Sequence, residues 1–394
     1  MESFYNYWKQ TLNSLEAKKQ RRFLSKVEVI SPVHIRINGK SYLNFASNNY
    51  LGLTHHPDVI EASVEALRKF GLGSGASRLV TGNFALYEEL EKAIARFKEY
   101  PKALVFSTGY TTSLALASSL IPKEGVILCD RLIHASLIDG MLLRGGKFLR
   151  FNHNDPEHLE KCLKKVEGNP YKLVITEGVF SMDGDIPPLA DMYELVKKYE
   201  AVLMIDDAHA TGVIGERGKG SLSFLGLRDS KRIICMGTLS KALGGLGGFV
   251  CADPDVVEFL INKARSFIFT TALPPAVVAG VLKAIEILER SSELVKKLQD
   301  NIKFFQSLCK ENGVKVHDFP TAIFPIIVGE EEKALELSKF LKSKGFFVPA
   351  IRPPAVSPGT SRLRITLSAV HSREDIVSLF NTLLEGLKWV RYFS

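Results

Sequence analysis

The sequence is short of the features that would make it a disulfide-built, metal-built or exported protein. Its five cysteines, at positions 129, 162, 235, 251 and 309, include no CxxC pair and no histidine-rich neighbourhood. That spacing argues against a disulfide framework and a zinc site, and reads as reduced, mostly buried thiols in a cytoplasmic protein. The opening segment, MESFYNYWKQTLNSLEAKKQRR, carries charge throughout and has no apolar core of the secretory kind. One stretch, residues 103–122, has no charged side chain over a length that could span a membrane. Its serines, threonines and Gly109 favour a strand and turn running into a buried helix, so no membrane location is expected. Repeats and low-complexity segments are missing, and KKQRR at 18–22 is the one compact basic run. Without a nucleic-acid motif, no nucleic-acid partner is expected.

What is present suits a large soluble globular protein. The chain has 394 residues, 46% hydrophobic and 24% charged, enough for a sizeable core and more than one domain. Formal charge is +8, which fits either an ordinary mildly basic protein or attraction to an acidic ligand or partner such as a phosphate, coenzyme A or an acyl carrier protein. Residues 1–28 read as a helical arm, and 29–45 as a hairpin turning at Asn38-Gly39. From 46 to 275 short apolar runs alternate with amphipathic stretches, the pattern of a mostly parallel sheet covered by helices. Strands are expected at 103–106, 125–129, 173–176, 202–205, 232–236 and 248–251. A long helical pattern follows Pro274-Pro275 to about Asn312. Beyond it come helices near 331–344 and 373–388 and a strand at 362–367. The expected divisions are therefore an arm and hairpin (1–45), a large α/β domain (46–275), and a linking helix with a smaller α+β domain (276–394).

The segment 237–245, GTLSKALGG, places Lys241 after a buried strand, with hydroxyls before it and glycines after it. That suits an amine forming a Schiff base with a cofactor aldehyde, with Thr238 near its phosphate. Alone it is equally a surface turn; GGLGG also lacks the GxGxxG spacing of a dinucleotide loop. Upstream, Asp206 ends an expected strand, where a carboxylate can keep a pyridine nitrogen protonated. His209 follows three residues later, within reach of a phenolic oxygen. Alone, this segment is a capped loop or, from Asp206-Asp207, a metal site; the two segments together favour the cofactor. Ser107-Thr108-Gly109-Tyr110 opens a helix whose N–H groups can face a phosphate. His134 follows the next strand, in place to stack on the ring.

Together with NFASNNYLGL (44–53), GSGASRLVTG (73–82), DRLIHASLIDG (130–140), TEGVFSMDGDIPPL (176–189), DDAHATGVIGE (206–216) and SRLRITLSA (361–369), these segments carry a resemblance over nearly the whole chain. The sequence resembles the α-oxoamine synthases, fold type I pyridoxal 5'-phosphate enzymes that condense an amino acid with an acyl thioester and release carbon dioxide. The resemblance implies an aminotransferase-like α/β fold and a homodimer with active sites shared between subunits. It implies that His134 stacks on the ring, Asp206 meets the pyridine nitrogen, and His209 and Ser181 meet the phenolic oxygen. Gly109, Tyr110 and Thr238 would serve ring and phosphate, and Thr270 and Thr271 the phosphate of the other subunit. Arg364 would bind the amino-acid carboxylate, with Asn48 beside it and Arg352 nearby, and Arg21 or Arg22 would contact the acyl substrate. Asp183-Gly184-Asp185, the HATG loop and Ile351-Arg352-Pro353-Pro354 look most like the branch that joins L-alanine to a pimeloyl thioester, carried on acyl carrier protein or coenzyme A. The branch using glycine and acetyl-coenzyme A is the alternative. Tyr87, where many relatives have histidine, and Ala355, where a substrate-contacting threonine is frequent, depart from the pattern.

Overall fold

Seven strands form the central sheet of the computed structural model, which describes residues 1–18 and 20–392. From one edge to the other they run Lys102–Phe106, Gly248–Ala252, Ile233–Thr238, Val202–Asp206, Lys172–Glu177, Val126–Asp130 and Phe148–Phe151. Gly248–Ala252 is antiparallel to both its neighbours, and the remaining pairs are parallel. Several strands are buried at every position, because helices cover both faces and leave no wet side for polar residues. Alternate residues feed two cores. Val174, Leu203, Ile205 and Ile233 enter one, while Leu173, Ile175, Met204 and Ile234 enter the other.

The six strands expected in this region are all present, with ends displaced by a residue or two. The sequence reading missed Phe148–Phe151, a four-residue edge strand with Arg150 exposed, too short to show a period. The uncharged stretch is the strand Lys102–Phe106 followed by the helix Gly109–Ser119. Among the described residues no helix is long and apolar enough to cross a membrane. All five cysteines are free and buried.

At the N-terminus, the helix Glu2–Ala17 precedes a hairpin of His34–Ile37 and Lys40–Asn44. Asn38 (φ 51°) and Gly39 (φ 78°) make its turn with the two positive φ angles that a two-residue loop needs. The second hairpin strand pairs in parallel with Phe346–Phe347, which knits the N-terminal segment to the C-terminal one. The long helical pattern divides into Pro275–Arg290 and Glu293–Glu311. Ser291 leaves helical geometry there, and its hydroxyl accepts the Glu293 N–H at 3.1 Å. Three antiparallel strands, Ile323–Gly329, Ser361–Thr366 and Ala350–Ile351, carry the helices Glu331–Ser343 and Arg373–Tyr392.

Candidate active site

Glu177, Asp206 and Thr238 are each the last residue of a strand of the parallel region. Polar side chains therefore gather at the carboxyl ends of the strands, where open α/β sheets bind ligands. They border a cavity of about 250 Å³ together with Thr108, Gly109, Tyr110, His134, His209 and Lys241. Lys241 follows the strand Ile233–Thr238, and its Nζ lies 2.8 Å from His209 Nε2. Burial pushes the amine down to about 8, even though Asp206 and Glu177 favour its charge. His209 is held well below the ordinary histidine range by burial and by the cations Lys241 and Arg364. It is thus a neutral imidazole, able to accept from Lys241 at Nε2.

The other walls are preformed. His134 caps the helix Ala135–Arg144, its Nδ1 2.7 Å from Ser136 Oγ, and burial lowers its proton affinity. Asp206 accepts the Ala208 N–H at 3.0 Å. Burial raises its carboxyl, and Lys241 and that N–H oppose the shift. Thr108 and Thr111 form a capping box that fixes the first turn of Gly109–Ser119. A side chain at 109 would press on Thr238 at 3.2–3.3 Å, so glycine keeps this helix end open. Tyr110 is half exposed and donates to Asp139 at 2.6 Å.

A hydrogen-bonded line leads from the cavity to the three-stranded sheet. Tyr50 Oη is 2.5 Å from His209 Nδ1 and donates to Asn48 Oδ1 at 3.3 Å. Arg364 donates to the same oxygen from both terminal nitrogens at 3.2 Å, to Thr366 Oγ1 at 3.0 Å, and from Nε to the Ser181 carbonyl at 2.7 Å. With Nδ1–H of His209 donating to Tyr50, each of the three links between Lys241, His209, Tyr50 and Asn48 has one donor and one acceptor. Arg364 is buried, and it ends the line as a positively charged fork that, among the described residues, hydrogen-bonds Asn48, Thr366 and the Ser181 carbonyl and no carboxylate. Nothing in the sequence marks Tyr50: its partner is 159 positions away, and a tyrosine in an apolar segment looks like core.

The remaining expected residues lie outside the cavity lining. Ser181 is on the loop below Arg364 and meets it through its backbone. Thr270 is 3.4 Å from Ser107 of the same chain, and Thr271 bridges to Ser77. Arg352 follows the strand Ala350–Ile351, which pairs with the strand bearing Arg364. Arg21 and Arg22 are exposed, with Arg21 3.4 Å from Glu16 and over the Phe23 ring. Tyr87 is structural: it accepts the Leu273 N–H at 2.6 Å beneath the Arg78 guanidinium.

Residues 40–383 match the family profile described as aminotransferase class I and II. The chain belongs to that family. Among relatives of this aminotransferase-family chain, an 8-amino-7-oxononanoate synthase of Citrifermentans bemidjiense is 44% identical over 369 residues, covering 93% of this chain and 94% of the relative. A serine palmitoyltransferase from S. paucimobilis, solved with PLP and myriocin bound, is 34% identical with a TM-score of 0.92, over 99% of both chains. An 8-amino-7-oxononanoate synthase from Francisella tularensis superposes with a TM-score of 0.77 at 30% identity, over 88% of this chain and 98% of that one. The expected fold type is therefore the observed one, and within the family the chain falls among the α-oxoamine synthases.

Proposed function

We propose that this enzyme condenses L-alanine with a pimeloyl thioester, releasing carbon dioxide and the free carrier and giving 8-amino-7-oxononanoate for biotin synthesis. The observation that carries the reading is the line from Lys241 through His209, Tyr50 and Asn48 to Arg364. It joins a buried amine of lowered proton affinity to a preorganised carboxylate fork, the two anchors an α-amino acid substrate needs. The names of the relatives, 8-amino-7-oxononanoate synthases, support this choice of reaction.

The cofactor is pyridoxal 5'-phosphate, and the residues present fit it. Lys241 is an amine in the cavity held by the neutral His209, Asp206 a carboxylate on the cavity wall, and the glycine-opened helix end offers first-turn N–H groups to a phosphate. When bound, the cofactor supplies the aldehyde that joins amines and the ring that draws an electron pair from Cα. The protein residues do the rest. Near neutral pH a fraction of Lys241 is unprotonated, so its Nζ can serve as nucleophile and then as base toward the Cα proton. Asp206 would favour a proton on the ring nitrogen, and His134 would pack against the ring. His209 and Ser181 would hold the phenolic oxygen, and Gly109, Tyr110 and Thr238 the ring and phosphate. Arg364, fixed by Asn48, Thr366 and the Ser181 carbonyl, orients the substrate carboxylate. Arg352, with Arg21 or Arg22, supplies positive charge for the acyl substrate on coenzyme A or acyl carrier protein. Thr270 and Thr271 serve the partner subunit of a homodimer.

Steady-state assays that pair alanine, glycine and serine with pimeloyl, acetyl and palmitoyl thioesters test this. Each methylene that fills an apolar channel contributes roughly 0.8 kcal/mol, and one methyl in the donor pocket about 1–3 kcal/mol. Alanine with a pimeloyl thioester should therefore exceed glycine with acetyl-coenzyme A by at least ~1,000-fold in kcat/KM. A preference for glycine and acetyl, or for serine and palmitoyl, rejects the substrate assignment and leaves the cofactor assignment intact.

A further inference from the structure

One titratable group on the cavity wall has no part in the reaction above. Glu177 closes the strand Lys172–Glu177, pairs in register with Asp206 on the neighbouring strand, and is 2% exposed. Its side chain borders the same cavity as Lys241. The backbone N–H groups of His134 and Ser181 are close enough to favour its charge, whereas Oε1 is buried with no hydrogen-bond partner. An orphaned oxygen this deeply buried costs about 1–3 kcal/mol unless a ligand satisfies it.

The charges facing Glu177 decide its form. Asp206 stands beside it, Lys241 comes from beyond the next strand, and His134 from the helix on the other side; His209 and Arg364 are the further charged or titratable groups around the site. Lys241 alone faces two carboxyls, and two neighbouring buried carboxyls cannot both ionise cheaply. Asp206 has the Ala208 N–H, Lys241 and His134 favouring its charge. Glu177 has Asp206 against it, and burial with that repulsion holds it well above the ordinary carboxyl range.

Resting on the pyridoxal-phosphate reading above, we propose that Glu177 is a positioning residue that works as an uncharged carboxylic acid. Its unpaired oxygen, buried at the cavity wall, hydrogen-bonds the group bound there. It thereby leaves Asp206 as the single carboxylate beside the ring.

The test uses holoenzyme carrying Glu177→Gln, which keeps shape and neutrality, and Glu177→Ala, which keeps neither hydrogen-bond group. In the Gln variant the pH titration of the visible band of lysine-bound cofactor should stay within about 0.3 pH units of wild type. Loss of an ionised carboxylate beside Lys241 would instead move it by about one unit or more, and that result overturns the proposal. In the Ala variant cofactor affinity should fall by roughly 5- to 150-fold, the ratio expected when a buried hydrogen-bonding group loses its partner; wild-type affinity rejects the positioning role. The infrared difference between wild type and Glu177→Gln at pH 8 should contain a protonated-carboxyl C=O band, readable with or without cofactor. Its absence means an ionised Glu177 and also overturns the proposal. If wild type shows no visible band, the pyridoxal-phosphate reading fails separately.

Discussion

Burial strips the Lys241 ammonium of water, and the neighbouring carboxylates restore only part of what it loses, so the amine settles at about 8 rather than in the usual lysine range. A base that also has to be displaced from its own covalent bond benefits from this, because it leaves and returns as the free amine. Lys241→Ala removes both tasks. Turnover should fall by several orders of magnitude and the visible band of the lysine-bound cofactor should disappear, while cofactor still binds noncovalently. Absorption spectra and single-turnover assays check this, and a variant with near-normal turnover would remove Lys241 from the mechanism. Lys241, Asp206, His209 and His134 were legible in the sequence because each lies within a few residues of a strand end in a short motif. Tyr50 and Glu177 were not, since their meaning depends on contacts across the fold: Tyr50 with His209, and Glu177 with its register partner Asp206.

The strand ends keep their geometry through ion pairs set just outside the cavity. Lys98, at the end of the helix Ala85–Lys98, donates to Asp207 Oδ2 at 2.6 Å, Thr211 Oγ1 at 3.1 Å and the Lys219 carbonyl at 2.5 Å. Asp207 also accepts the Ser221 N–H and hydroxyl, so the pair is fully hydrogen-bonded at 2% and 0% side-chain exposure. Lys98→Met would leave Asp207 charged, buried and without its cation. The expected loss is ~3–5 kcal/mol of stability in chemical denaturation, accompanied by weaker cofactor retention as the 206–212 loop shifts. On the opposite side, His153 bridges Asp130 at 3.0 Å and Asp185 at 2.8 Å, tying the 181–185 loop to the sheet. Burial opposes its charge, but the hydrogen bonds to the two carboxylates outweigh it and raise the imidazole from 6.5 to about 9. A raised histidine contributes its full stability below 6.5, and that contribution is lost as pH climbs through about 9. Wild type should therefore lose on the order of 2 kcal/mol relative to His153→Gln between those pH values, measured by urea denaturation at a series of pH values. A pH-independent difference would show that His153 is not charged. At this scale the strands of the sheet interior were readable as apolar runs. The two ion pairs were not, because Lys98 and Asp207 are 109 positions apart and His153 and Asp185 are 32 apart, and neither spacing marks them in a sequence.

In the single chain much apolar surface has nothing over it. The helix Glu2–Ala17 has no buried residue, and Phe4, Tyr5, Tyr7 and Trp8 are all half exposed or more. Leu72, Leu79 and Val80 are exposed on the loop 71–84, as are Leu142 and Leu143 at the end of the helix Ala135–Arg144. Phe269 is 70% exposed immediately before Thr270 and Thr271. Scattered apolar residues on a surface are ordinary, but this many large ones are what an association surface presents. The segments 73–82 and 270–271 also touch each other through the Ser77–Thr271 bridge, so one partner could cover both. Such a partner fits a second copy of the chain, since the family resemblance places Thr270 and Thr271 at the other subunit's phosphate. Light scattering on purified protein should give twice the chain mass. Phe269→Asp, which puts a charge where apolar cover is expected, should shift that mass toward the monomer and lower cofactor occupancy in the same samples. The two changes are linked because a monomer would lack the threonines its partner contributes. A monomeric wild type with full cofactor occupancy would show that each chain completes its own site, in keeping with the 3.4 Å approach of Thr270 to Ser107 within one chain.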